Sequence, residues 1–128
     1  MTLQIDLKSS IPAYRQIVDG LRILLVNGDL RPGHQLPPVR RLAVDLGVHF
    51  NTVAEAYRTL ASEGWLEIAR GSGAQVVSRS APRRASAEAT ETFQRRLREF
   101  VAEVQAGGFP RGRIVRELRQ LADTLEGN

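Results

Sequence analysis

The chain of 128 residues contains no cysteine, so neither a disulfide framework nor a cysteine-ligated metal site can be built from it. Imidazoles are almost as scarce. With only His34 and His49, a zinc site is not expected, and no other cofactor is called for. No apolar run reaches membrane-spanning length, and the first residues lack the basic region and long apolar core of a secretory signal. These absences predict a cytoplasmic protein with no membrane partner. Paired carboxylates, a nucleophile beside a base and a phosphate-cradling loop between strand and helix are missing too, so the chain is not read as an enzyme. Its length suits one small domain plus an appendage and leaves no room for a large separate ligand-binding domain.

Lysine is nearly absent: Lys8 stands alone, and arginine supplies the remaining side-chain cations behind the formal net charge of +4. That charge is unevenly spread. Residues 1–78 hold one lysine and seven arginines against seven acids, a balance of +1, while the remainder holds ten arginines against seven acids, a balance of +3. Overall basicity is therefore a weak argument for an anionic partner, and local placement must carry it.

The informative stretch runs from Gln35 to Val77. Val39, Leu42, Ala43 and Leu46 recur at helical intervals, and Val53, Ala56, Tyr57 and Leu60 repeat the pattern in a new phase beyond Gly47. A glycine there can take the left-handed conformation that ends one helix and turns sharply into the next. Such a turn frees the outer face of the second helix, where His49, Phe50, Asn51, Ala54, Glu55 and Arg58 fall. That helix should run from about Asn51 to Ser62 and close at Glu63-Gly64. Leu66 and Ile68 alternate with Glu67, and Gln75 to Val77 return as a second strand around the tip Arg70-Gly71-Ser72-Gly73. Two helices, a tight turn and a ribbon make the pattern of a winged helix-turn-helix.

Upstream, Leu3, Ile5 and Leu7 alternate with polar residues and predict a short strand or arm. Tyr14, Ile17, Val18, Leu21, Leu24 and Leu25 form a helical stripe that starts near Pro12 and ends at Asn27-Gly28. Gly20 within it costs roughly 1 kcal/mol against alanine, which points to a close helix contact. Residues 29–38 read as a punctuated loop that positions the next helix, with His34 a plain loop residue. Trp65, beside a glycine turn, reads as a core plug.

Downstream, residues 79–87 are small and polar and read as a linker. Phe93, Leu97, Phe100 and Val104 then step by four, three and four, as do Ile114, Leu118, Leu121 and Leu125 beyond Gly107-Gly108-Phe109-Pro110. These are two amphipathic helices whose apolar seams exceed what so small a hairpin can bury, and a second copy is the simplest partner. The fold class expected is therefore mainly α with a small β-wing: a winged helix-turn-helix over residues 1–78, a linker over 79–87 and a dimerisation hairpin over 88–128.

The sequence resembles the GntR family of bacterial transcription regulators, and within it the small YtrA-like branch. The resemblance rests on Ile5-Asp6, Pro12-x-Tyr14-x-Gln16-Ile17, Gly28-x-Leu30-x-Pro32-Gly33-x-x-Leu36-Pro37, Val39-Arg40-x-Leu42-Ala43 and Leu46-Gly47-Val48. It continues through Asn51-Thr52-Val53, Ala56-Tyr57, Leu60, Glu63-Gly64 and Arg70-Gly71-x-Gly73. The resemblance implies that Arg40 contacts DNA, that His49, Phe50, Asn51 and Thr52 head a recognition helix, and that Arg70 and Gly71 reach the minor groove. Arg41, Arg58, Ser72 and Gly73 complete the expected DNA-facing set. Asn51 suits a bidentate pair with adenine, and Thr52 suits a phosphate contact or a helix cap. The chain departs from the branch at Pro38, where a capping serine is common, and at His49-Phe50, where Phe50 either touches a thymine methyl or packs. Base specificity should differ accordingly.

The expected function is a repressor that binds a palindromic double-stranded DNA operator as a homodimer. The branch resemblance implies control of a neighbouring operon, often for a transporter of the ATP-binding cassette type, with a small-molecule effector left unidentified. The alternative is a winged-helix protein-interaction module without specific DNA binding, favoured by the near-neutral first module and by Phe50.

Overall fold

A computed structural model describes residues 2–69, 73–79 and 85–127, and the chain divides into two units, Met1–Ser80 and Ala81–Asn128. In the first unit the expected periodicities appear as α1 (Ala13–Val26), α2 (Val39–Leu46), α3 (Phe50–Ser62), β1 (Leu66–Ala69) and β2 (Gly73–Val76). Helix α3 packs against α1, α2 and β1, which puts it at the centre of the unit. Its inner residues Val53, Ala56, Tyr57 and Leu60 are buried with Ile17, Val18, Leu21 and Leu25 of α1 and with Leu42 and Ala43 of α2. Leu30, Leu36, Leu66, Ala74 and Val76 close the same cluster. Each large aliphatic side chain removed from water there contributes about 1.5–3 kcal/mol.

Polar ties fix the orientation that the apolar contacts leave loose. The Tyr57 hydroxyl donates to the Pro37 carbonyl at 2.7 Å, and burial raises its pKa, so the donated proton stays in place. The Tyr14 and Thr59 hydroxyls meet at 2.6 Å. Arg22 of α1 forks onto Glu63 at the end of α3, with its Nη2 2.7 Å and its Nε 3.2 Å from the two carboxylate oxygens.

The turn between α2 and α3 follows the sequence reading. Gly47 sits at φ 73°, ψ 33°, and the Val48 N–H reaches back to the Ala43 carbonyl at 3.0 Å. Strands β1 and β2 pair antiparallel from Leu66↔Val76 to Ala69↔Gly73. Residues 70–72, the expected wing tip, lie outside the described residues.

Of the strand or arm expected at the start of the chain, residues 2–6 form the arm, irregular in backbone. The arm is held because the Gln16 side chain accepts from the Asp6 N–H at 2.7 Å and donates to the Asp6 carbonyl at 2.9 Å. Gly20 makes room for this arm and not for another helix: a Cβ there would lie 2.5 Å from Leu3 Cδ1. Residues 33–36, read only as a loop, run along β2 as a third edge. Gly33 and Leu36 donate to the Val76 and Ala74 carbonyls, and Val76 donates to the His34 carbonyl, all at 2.8 Å. Trp65 packs against the core but is only half-buried, with the Arg79 guanidinium 4.7 Å above its ring. Ile68 is exposed although it shares a strand face with buried Leu66, because β1 extends past the core toward the wing tip.

The second unit is built from α4 (Ala87–Ala106) and α5 (Arg111–Glu126). Ser86 caps α4, its hydroxyl accepting from the Ala89 N–H at 3.0 Å, so the helix starts within the stretch read as linker. Among the described residues neither helix has a buried side chain. Phe93, Phe100, Leu121 and Leu125 are all more than half exposed. Val104 and Ile114 are half-buried in a groove between the helices that Phe100, Val101, Phe109 and Leu118 also line. Among the described residues no helix is long and apolar enough to cross a membrane.

Gly73 combines a left-handed backbone, φ 86°, with a close neighbour: a Cβ would meet the Leu36 carbonyl oxygen at 3.3 Å. At Gly47 the same construction meets only Leu7 Cδ1, at an ordinary 3.6 Å. Gly47→Ala should therefore cost about 1–2 kcal/mol, the left-handed penalty alone, and Gly73→Ala distinctly more. Urea midpoints of the two variants check the order, and equal losses would mean that the wing moves freely off residues 36–38.

Candidate DNA interface

The surface that the α2–α3 turn leaves free is assembled from the ends of those two helices and the wing. Helix α2 starts at Pro38 without a side-chain cap, as the proline there dictates. Arg40 and Arg41, in its first turn, are both exposed. Arg40 makes no ion pair among the described residues, whereas Arg22, Arg95 and Arg113 each hold a carboxylate. An arginine without a carboxylate keeps its donors available to phosphate or base edges.

Helix α3 begins at Phe50, one residue ahead of the sequence estimate, and its cap is His49. The His49 Nδ1 accepts from the Asn51 N–H at 3.1 Å. Thr52, for which a phosphate contact or a cap was expected, is not the cap: it lies inside the first turn, its N–H donating to the His49 carbonyl at 3.0 Å. An imidazole that accepts at Nδ1 carries its proton on Nε2, so the exposed side of His49 presents a donor. Asn51 is exposed with its amide free of side-chain contacts among the described residues, and Thr52 is half-buried.

Phe50 is half-buried and packs on the core cluster. Its ring stacks on His49, with centroids 4.5 Å apart and planes 28° apart. The Arg40 guanidinium lies 4.3 Å from the same centroid. This contact joins the start of α2 to the start of α3, and helical spacing gives no sign of it.

A groove between α3 and the wing is lined by Arg40, Ala54, Arg58, Ile68 and Gly73, with Tyr57 beneath. The structure thus brings Arg40, Arg58 and Gly73 to one concavity, and Arg40, His49 and Phe50 to one stack. Arg41, Asn51 and Thr52 join neither grouping. Gly73 itself is a paired residue of β2 pressed against residues 36–38, so its place in the fold accounts for the glycine. Arg70, Gly71 and Ser72 fall outside the described residues. Ala54, placed on the free helix face but not among the expected DNA contacts, and Ile68, which the sequence did not nominate, give the groove an apolar lining.

The groove is anionophilic at its rim and apolar at its base, and an exposed helix end with Asn51 stands beside the turn that frees it. This is chemistry for a polyanion with readable edges. Among the described residues no group of side chains could hold a metal ion.

Residues 13–76 match the bacterial regulatory proteins of the gntR family. The chain is 28% identical over 125 residues to the HTH-type transcriptional repressor YtrA of Bacillus subtilis, an alignment covering 98% of this chain and 95% of that one. It is 36% identical over 125 residues to the HTH-type transcriptional regulator Rv1152 of Mycobacterium tuberculosis, covering 94% of each. Among solved structures, YtrA from Sulfolobus acidocaldarius, a GntR-family transcription factor, superposes with a TM-score of 0.55 at 32% identity, covering 97% of this chain and 99% of that one. The family match ends at Val76, where β2 ends, while these relatives align through the helical hairpin as well. With its helix-turn-helix and wing matched as a unit and its full span shared with such regulators, the chain belongs to the GntR family.

Proposed function

We propose that the protein is a sequence-specific DNA-binding transcription regulator, a repressor that binds an inverted-repeat operator as a homodimer in the cytoplasm. The observation that carries this reading is the free outer end of α3, where Asn51 and the capping imidazole of His49 stand exposed beside unpaired Arg40. A recognition helix enters the major groove by that end. Arg40 and Arg58 neutralise phosphates, Arg41 adds charge at the flank, and Asn51 pairs with an adenine edge. Arg70, Gly71 and Ser72 follow the backbone into the minor groove from the wing.

The homodimer part of the proposal rests on the helical hairpin. Leu97, Phe100, Leu118, Leu121 and Leu125 remain exposed on α4 and α5, and a second copy offers the same surface to each of them. A two-fold pair of reading heads requires a two-fold site, with half-sites about one helical turn apart. The YtrA likeness extends the proposal to an operon for a transporter and to a small-molecule effector that no described group identifies.

Arg40→Ala should weaken binding to every duplex and lower the salt slope by about 1. Asn51→Ala should relax preference at a single base position, a loss of about 1–3 kcal/mol of discrimination. Gel shifts across a salt series, on a duplex selected from a random pool, read both effects. Binding that ignores salt would favour a protein-interaction module in place of a DNA reader.

Sedimentation should give two chains per particle for the wild type. Leu118→Glu should shift it toward single chains and weaken binding to the full palindrome far more than to an isolated half-site. A wild-type chain that remains monomeric at micromolar concentration overturns the dimer.

A further inference from the structure

The stack at the head of α3 supports a more specific assignment, which rests on the reading of Arg40 as a DNA contact. Two groups sit within 4.5 Å of the Phe50 centroid: the nearly parallel His49 ring and the Arg40 guanidinium, at 4.5 and 4.3 Å. Both groups therefore engage the same phenyl ring. Phe50 also packs on the core cluster, so the ring is held by the core as well as by these two neighbours.

Arg40 is held at the ring. Guanidinium over an aromatic ring is attracted by the ring quadrupole, a contact that takes up no oxygen acceptor, and a phosphate or a guanine edge can accept two of its N–H donors at once. No carboxylate competes for those donors among the described residues. A long side chain fixed before binding loses less freedom when it binds. His49 contributes twice, capping α3 through Nδ1 and stacking on the ring.

We propose that Phe50 is a positioning residue for Arg40: it is a platform, stacked with His49, that presets the guanidinium toward DNA, and it reads no base itself. The effect on affinity is that of an exposed cation–π contact, a factor of about two to five.

The test is a double-mutant cycle on the full-length chain with the duplex it selects from a random pool. Wild type, Arg40→Ala, Phe50→Leu and the double variant are compared, each checked for a wild-type circular dichroism spectrum. Phe50→Met replaces Phe50→Leu if the latter does not fold. Phe50→Leu should weaken binding about two- to five-fold in the wild-type background and leave binding unchanged in the Arg40→Ala background, since the two residues act through one contact. Phe50→Tyr, which keeps the ring face, should bind like wild type. Replacing each operator thymine by uracil should leave the Phe50→Leu ratio as it was.

Equal losses from Phe50→Leu in both backgrounds would overturn the platform, as would a ratio that collapses when one thymine methyl is removed. If Arg40→Ala weakens binding and Phe50→Leu does not, the platform fails while the DNA contact stands. If Arg40→Ala binds every duplex like wild type, the DNA contact fails and takes the platform with it.

Discussion

A helix can present one face to a partner only as accurately as its opposite face is held, and here that holding falls to the inner side of α3. Val53, Ala56, Tyr57 and Leu60 are all within a percent of complete burial. The Tyr57 hydroxyl then ties this apolar seat to the Pro37 carbonyl, just ahead of α2. Rotation of α3 about its axis would have to break that bond and expose the stripe together. The outer residues inherit their aim from the inner ones, and the Gly47 turn decides which residues are outer.

This division explains which parts of the fold were legible in the sequence. The stripes of α1, α2 and α3 are local periodicities, and of the eight residues that flank Gly47 at helical intervals six are buried in the core while Val39 and Leu46 pack against it. Gly47 was legible because its conformation excludes most side chains. The third edge at 33–36 was hidden because it is short, contains Gly33 and carries no alternation. Its ladder with β2 depends on backbone groups that every residue has. The contact between Gly20 and Leu3 joins residues 17 apart through a shape match, and spacing cannot encode that.

At the head of α3 the sequence was stronger on position than on role. His49, Phe50, Asn51 and Thr52 were placed at the head of the helix, and they are there. A hydroxyl, that of Thr52, was left between a phosphate contact and the cap, whereas the structure caps with an imidazole, because His49 occupies the one position whose backbone is extended while its carbonyl already serves the helix. Phe50 was left between base contact and packing. Its stack with Arg40 spans two helices, and only their crossing brings the two residues together.

Arg79 gives the first unit a mechanical property. Its Nε donates to the Glu63 carbonyl at 3.0 Å, its guanidinium covers Trp65, and two residues earlier the Val77 N–H holds the Trp65 carbonyl at 3.1 Å. The strand that leaves β2 is therefore moored at the C-terminal end of α3, thirteen residues from its other end, or about 20 Å at helical rise. A pull on the chain at residue 79 would be borne first by these contacts, at the end of α3 opposite Asn51.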